Sequence, residues 1–134
     1  MPGPVRATGA MLAGMEPVVQ PGLWVFCILP AGQPLPPAAL ASFVEAEGMS
    51  VILPVEGAAR IGADTSVPMT QITLTVHSSL LGVGLTAAVA TALAEQAIPC
   101  NMVAAFHHDH VFVPAALAPQ AMETLRALQA LHRG

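Results

Sequence analysis

The segment from Gln71 to His77 alternates strictly between polar and apolar side chains. Its apolar positions are Ile72, Leu74 and Val76. Side chains of a β-strand point alternately to opposite faces, so this period of two predicts a strand with one apolar face and one more polar face. The elements that follow this strand restrict the fold more than any other feature of the sequence.

A long helix is predicted directly after this strand, from Ser79 to Ala97. Ser78 or Ser79 suits the N-cap position, where a hydroxyl oxygen accepts a hydrogen bond from the first helical turn. Bulky apolar side chains recur every four positions along the segment, as on one face of a helix; they are Leu81, Leu85, Val89 and Leu93.

Two strands and a second helix complete this half of the chain. Residues 101–107 and 110–113 predict strands joined by a tight turn at 108–109. Pro119 suits the start of a helix, and its apolar stripe consists of Met122, Leu125, Leu128 and Leu131. The order β–α–β–β–α is most of a ferredoxin-like βαββαβ unit. The predicted class is therefore α+β, with an antiparallel sheet and the helices on one face.

The first half of the chain predicts a shorter version of the same order. Leu23–Leu29 is a continuous apolar run, which is typical of a central strand covered on both faces. A proline-rich loop follows, and then a predicted helix over Ala38–Glu47, whose apolar spacing rests on Leu40, Phe43 and Val44. Met49–Leu53 predicts a second strand, and residues 56–61 predict one helical turn.

The composition changes between the two halves at residues 64–68. We therefore expect ferredoxin-like modules in tandem: an incomplete first module at 22–64 and a second module at 65–134. Residues 1–21 are expected to form an N-terminal extension with a short helix. Halves of about sixty residues bury too little surface to be very stable alone, which favours packing of one module against the other.

Charged side chains are scarce. Asp, Glu, Lys and Arg make up 9% of the chain against 54% for the apolar set, and the net charge is −4. A chain with so few cations repels the phosphate backbone, which excludes nucleic-acid binding as a function. So few charges also leave much of the surface apolar, and large apolar patches mark partner surfaces. We expect a homodimer.

Membrane insertion is not expected. The longest uncharged apolar stretch, Ser78–Ala94, has seventeen residues, and a membrane span needs about 20. The first twenty residues contain no apolar core of a signal peptide. We therefore expect a soluble, cytoplasmic protein in which Cys27 and Cys100 are reduced and behave as small apolar residues.

The junction between the strand and the long helix is the first candidate site. Free N–H groups in the first turn of a helix hold anions such as carboxylates. Gly82 and Gly84 reduce the steric bulk beside that end. The alternative is that the serines only cap the helix. No phosphate-binding glycine motif is present, and no cofactor is predicted.

The second candidate is the cluster of His107, His108, Asp109 and His110. Imidazole binds zinc and nickel. In a two-residue turn, however, His107 and His110 face each other across the hairpin, and no third and fourth ligand is fixed nearby. We predict no dedicated metal site and keep these three histidines as the weaker alternative.

The third candidate is an acid–histidine pair for catalysis, in which Glu45, Glu47 or Asp109 would pair with His77. No serine or cysteine lies in a GxSxG motif. Glu45 and Glu47 are two positions apart, so they do not face each other on a helix. We predict no catalytic residue.

Several segments together resemble small bacterial ACT-domain proteins of uncharacterised function. Residues 71–113 are similar to the C-terminal module of that group, and the strand near Trp24 is similar to the N-terminal module. The segments that carry the resemblance are Trp24–Cys27, Glu45–Gly48, Thr73–Ser79, Val83–Thr86, Asn101 and His107–Val113.

This resemblance implies tandem ACT modules that bind a small molecule, commonly an amino acid, against the loop between the first strand and the first helix. It also implies a non-catalytic, regulatory role. The ligand-binding residues implied here are His77, Ser78, Ser79, Leu80, Gly82, Val83, Gly84 and Asn101. A structural interaction module without a ligand, and a His-dependent enzyme, stay as alternatives.

Overall fold

The computed structural model describes residues 8–77 and 79–133. In chain order the elements are α1 (Thr8–Gly14), β1 (Pro17–Val19), β2 (Trp24–Ile28), β3 (Ala41–Glu45), β4 (Gly48–Pro54), α2 (Val55–Arg60), β5 (Met69–Leu74), α3 (Leu85–Glu95), β6 (Asn101–Ala104), β7 (Asp109–Pro114), a 3₁₀ turn (Ala115–Leu117) and α4 (Ala118–Arg133). The predicted α+β class with ferredoxin-like antiparallel sheets is confirmed.

The described residues form two compact units. One comprises 8–21, 70–77 and 79–133, and the other comprises 22–69. α1 and β1, which lie in the segment expected to be an N-terminal extension, belong to the unit that contains β7, α3 and α4. Within the described residues, no helix has the length and apolar character needed to span a membrane.

In the larger unit the strands lie in the order β1–β5–β7–β6, with β1 antiparallel to β5 and β6 antiparallel to β7. This is the ferredoxin-like strand order, and β1 takes the position of the last strand of the βαββαβ unit. The three helices cover one face of the sheet and form one apolar core with it; this core includes Met11, Leu12, Met15, Ile72, Leu74, Val89, Leu93, Val111, Val113 and Leu125.

In the smaller unit the order is β3–β4–β2, all antiparallel, and Trp24 of β2 also pairs with Met69 at the start of β5. α2 covers one face; the core there is Val25, Leu29, Val51, Leu53 and Ala58. On the other face Phe26 and Ile28 are exposed. The prediction that this apolar strand is covered on both faces is therefore wrong for the described unit.

The helix predicted over Ala38–Glu47 is also wrong, because residues 41–45 form β3. The spacing of Leu40, Phe43 and Val44 suited a helix, but all three side chains are exposed. With nothing to bury that stripe, aromatic and β-branched residues favour pairing with β4 instead.

The long helix begins six residues later than predicted. α3 starts at Leu85 with Gly84 as its N-cap, and Ser79 lies in a turn before it. Gly84 has a φ of +102°, which an α-helix cannot accommodate, so the helical pattern could not extend back through it. Leu85, Val89 and Leu93 are buried as predicted, whereas Leu81 is exposed.

The hairpin turn is longer than predicted, because β6 ends at Ala104 and β7 begins at Asp109. Val103, and not His107, lies opposite His110.

In α4 the predicted apolar stripe ends before Leu131. Leu131 is exposed, and Gln129 is buried in its place because its amide donates to the Ala13 carbonyl and to Glu16.

Candidate functional site

A cavity of about 150 Å³ lies where β5 leads towards α3. It is formed within the larger unit by three parts of the chain: the loop before α3, the first turn of α3 and the β6–β7 hairpin, with one side chain from α1. The lining residues are Met11, Ser79, Leu80, Gly82, Gly84, Leu85, Thr86, Ala104 and Asp109. Three of these, Met11, Leu85 and Asp109, are buried, so the cavity reaches the interior of the unit.

The loop before α3 is shaped by Ser79. Its hydroxyl accepts a hydrogen bond from the Leu81 N–H (3.1 Å), and its carbonyl accepts one from the Gly82 N–H (2.9 Å). Ser79 therefore stabilises a turn. The sequence predicted that it would cap the helix, and it does not. Gly84, the actual N-cap, has no side chain to bond the first turn of α3. The first-turn N–H groups thus have no capping side chain, and an anion is favoured beside them.

The side chain of Asp109 is the one carboxylate among the residues that line the cavity. It is 7% exposed and lies at the start of β7, directly opposite Ala104. Asp109 is expected in a turn from the sequence, and its place at the cavity is not predicted. No local signal marks this position, because the pairing of Asp109 with Ala104 depends on the register of the hairpin.

Four residues of the implied ligand set line this cavity: Ser79, Leu80, Gly82 and Gly84. Val83 lies in the same loop with its side chain exposed. The His77 ring lies 5.1 Å from the ring of His107. Asn101 pairs with Phe112 at the far end of β6 from Ala104. Ser78 lies outside the described residues. A role of these residues in ligand binding stays a prediction.

The clustered histidines point to different partners. His108 Nδ1 lies 3.2 Å from the Val76 carbonyl, whereas His110 Nδ1 lies 3.0 Å from Thr73 Oγ1 and 3.1 Å from Gln71 Nε2. In the part of the chain that the structure describes, no three His, Cys, Asp or Glu side chains are grouped to hold a metal ion.

The surroundings of His110 favour its neutral form. An amide nitrogen only donates, so the bond from Gln71 requires an unprotonated Nδ1. Burial lowers the pKa of His110, as does the nearby His108, while Asp109 opposes the shift. This network buries Gln71 and Thr73, which explains why the more polar face of β5 is not exposed.

The stability of the protein should therefore fall in mild acid. The folded-state pKa of His110 lies below its unfolded value, so the unfolded state binds more protons as the pH drops past about 6.5. We expect the free energy of unfolding, measured with urea, to decrease from about pH 7.5 to about pH 5. A His110→Gln variant should show a flatter profile. The matched control, His132→Gln at the exposed end of α4, should keep the parental slope. Identical slopes for parent and His110→Gln would contradict this account.

The two cysteines and the two glutamates give no support for a catalytic site. Burial raises the pKa of both the Cys27 and Cys100 thiols, which disfavours the thiolate. Glu45 and Glu47 are exposed, and Glu45 accepts a hydrogen bond from Ser50.

Three wider depressions of about 400 Å³ lie elsewhere. Two lie along α3 and α4, and the third lies beside Cys27 and Asp64 in the smaller unit. None of the three is lined by a buried polar side chain. Of these four, the cavity at the start of α3 is therefore the best candidate for a ligand site, since ligand pockets combine apolar walls with a few convergent polar groups.

Comparisons with solved structures agree with this fold. A crystal structure of a Vibrio cholerae protein of unknown function, described as a possible transport protein, is 41% identical, with a TM-score of 0.75 over 87% of this chain and 92% of that one. An Agrobacterium tumefaciens protein is 15% identical, with a TM-score of 0.69 over 84% of this chain and 87% of that one. The second likeness shows the fold alone. No curated protein matches the sequence.

Two family models match in tandem, and each describes an ACT domain. The first covers residues 6–70 and the second covers residues 66–133. Together they span both units, and they agree with the resemblance on which the sequence analysis relied. The chain belongs to the ACT-domain family.

Proposed function

We propose that this protein is a non-catalytic regulatory protein that binds a small amino acid in the cavity at the start of α3. ACT domains are typically regulatory, small-molecule-binding modules. The observation that carries the proposal is that one cavity joins a helix N-terminus without a capping side chain to a buried carboxylate. An amino acid carries the two complementary charges. The protein would act in the cytoplasm as a homodimer.

Each end of an amino acid has a counterpart in the cavity. The positive end of the α3 dipole and its first N–H groups favour the α-carboxylate, and Asp109 favours the α-ammonium. The remaining walls combine the apolar side chains of Met11, Leu80 and Leu85 with the uncharged hydroxyl residues Ser79 and Thr86. A volume of about 150 Å³ is below the range of pockets for drug-sized ligands. These features favour a small side chain without charge.

The two alternatives from the sequence make different predictions. An interaction module without a ligand would bind no metabolite in this cavity. A His-dependent enzyme would need an acid or nucleophile beside His77, whose ring contacts another histidine, His107. The geometry therefore favours binding over catalysis.

The direct test is a thermal-shift screen of the full chain against the standard amino acids, their keto acids and nucleotides. A ligand present at about 100 times its dissociation constant stabilises the folded state by about 2.7 kcal/mol. We expect a shift with one or a few small neutral amino acids. If no compound moves the melting midpoint, the interaction module becomes the better interpretation.

Variants of the cavity then locate the site. Asp109→Asn should weaken binding of the amino acid found at least tenfold, about 1.4 kcal/mol, because it removes the charge that holds the ammonium. Ala104→Leu should block the same cavity from the end of β6. The matched control is Asp64→Asn, which removes an exposed carboxylate in the other unit.

Gly82→Val is not suitable as a blocking variant. Gly82 lies outside the helix, and a Cβ there would lie 3.1 Å from Met11 Sδ, within the core. A loss of binding could then follow from disturbed packing. If calorimetry shows unchanged affinity in both Asp109→Asn and Ala104→Leu, the ligand site lies elsewhere.

A further inference from the structure

The two ends of the cavity at the start of α3 differ in burial. The exposed lining residues mark its mouth; they are Leu80, Thr86 and Ala104. The buried lining residues mark its inner end; they are Met11, Leu85 and Asp109. The inner end therefore combines one carboxylate with two apolar side chains. A ligand whose ammonium group lies beside Asp109 can place an apolar group against Met11 or Leu85.

Met11 is the lining residue that α1 contributes to the cavity. The tip of its side chain reaches the loop before α3, because a Cβ added to Gly82 would lie 3.1 Å from Met11 Sδ and 3.2 Å from Met11 Cε. The same side chain is buried in the core with Leu12 and Met15. The thioether end of Met11 therefore forms part of the inner boundary of the cavity, in space that the missing side chain of Gly82 leaves open.

Leu85 is less suited to select a ligand by its length. It is the first residue of α3, so it belongs to the helical turn whose N–H groups favour the carboxylate. Methionine, in contrast, is unbranched and flexible, and it adapts to irregular gaps. Met11 also lies on a different helix from the carboxylate position. A change at Met11 therefore alters the space for a ligand side chain without altering the residues that face its charged groups.

We propose that Met11 limits the length of the ligand side chain, so that α1 determines which amino acids the site accepts. The proposal rests on the proposed function, because it takes the amino acid in this cavity as given. It adds the ligand class: neutral amino acids with a short side chain that ends against the Met11 thioether.

Close packing makes such a limit sharp. A longer ligand side chain has to displace Met11 from a packed core, and overpacking a core is destabilising. One methylene group in an apolar pocket changes affinity by about 10- to 200-fold. Affinity should therefore rise with side-chain length while the cavity fills, and it should fall at the length that reaches Met11. Met11→Ala removes Cγ, Sδ and Cε, which should move this limit to a longer side chain.

The test is calorimetry of the full chain with glycine, alanine, 2-aminobutyrate, norvaline and norleucine, each of which is one methylene longer than the one before. We expect the parent to prefer a short member of this series. Met11→Ala should prefer a longer one, and the ratio of its affinities for norleucine and alanine should rise at least tenfold over that of the parent.

Two further variants separate this effect from a general loss of packing. Met122→Ala is the matched control, since Met122 is a buried methionine of the same core, lies in α4 and does not line the cavity. It should lose stability but keep the parental order of affinities. Met11→Leu exchanges residues of similar volume, which cores usually tolerate. Its shorter reach should give a smaller shift in the same direction, so the proposal stays testable if Met11→Ala does not fold.

The failure of this proposal is distinct from the failure of the proposed function. If the parent binds a member of the series and the Met11 variants keep its order of preference, Met11 does not set the length, although the binding function stands. An equal change of order in Met122→Ala would also overturn the proposal, because loosened packing would then explain it. If neither the parent nor Met11→Ala binds any member, the proposal is wrong. The proposed function then fails as well only if the screen of the standard amino acids is also negative.

Discussion

Replacing Met15 with alanine is expected to lower the free energy of unfolding by about 2–5 kcal/mol, the usual cost of truncating a fully buried methionine. Met15 follows α1 and is 0% exposed. Its side chain belongs to the core that also contains Met11, Leu12 and Leu125. The backbone around it is equally fixed, because the Met15 carbonyl accepts the Thr75 N–H at 2.7 Å. The cavity left by truncation could not collapse easily.

The measurement is urea unfolding followed by far-UV circular dichroism. This signal reports mainly on α1, α3 and α4, which lie in the same unit as Met15. Trp24, the single tryptophan, lies in the other unit and gives a separate fluorescence signal. Val19→Ala is the matched control, since Val19 lies in β1 with its side chain exposed and should change stability by less than about 1 kcal/mol. Equal effects of the two variants would mean that the N-terminal segment is not part of the core.

The position of that segment could not be predicted from the sequence. Residues 8–21 are short and carry no strong pattern, so they look like an extension. Their place depends on contacts distant along the chain: Gln20 donates to Thr73, and Arg133 and Gln129 both bond Glu16. Local propensity contains no information about such pairings, whereas the strongly periodic segments at 71–74 and 85–95 were predictable. The strand itself ends at Leu74 and not at His77 as predicted.

The structure of β3 and part of the candidate site also depend on contacts that local sequence patterns do not reveal. A stripe at helical spacing forms a helix only if something buries it, and nothing in the described unit buries Phe43 and Val44. At the site, Ser79, Gly82 and Gly84 followed from the strand–helix order, and Leu80 followed from the family resemblance. Met11 and Asp109 did not, because only the tertiary fold brings α1 and the hairpin to that loop.

Gly84→Ala is expected to destabilise the protein by at least about 2 kcal/mol. The φ of +102° at Gly84 is a backbone conformation that costs a residue with a Cβ about 1–3 kcal/mol. In addition, the Cβ would lie 2.7 Å from Thr8 Oγ1 and 2.9 Å from Thr8 Cγ2. Thr8 cannot easily move, because its hydroxyl donates to the Val83 carbonyl. The substitution should therefore push α1 away from the start of α3, at the edge of the cavity.

Gly62→Ala separates the two contributions, since Gly62 also has a positive φ (+75°) but open space where a Cβ would be. Gly62→Ala should lower the free energy of unfolding only by the strain of its positive φ, about 1 kcal/mol. The additional loss of stability in Gly84→Ala should become smaller when Thr8→Ala is added, because that change removes the two atoms closest to the new Cβ. Urea unfolding of the two single variants and the double variant measures this coupling as a double-mutant cycle. If Thr8→Ala recovers none of the loss, the contact between α1 and the start of α3 is not what requires glycine at position 84, and backbone conformation alone accounts for it.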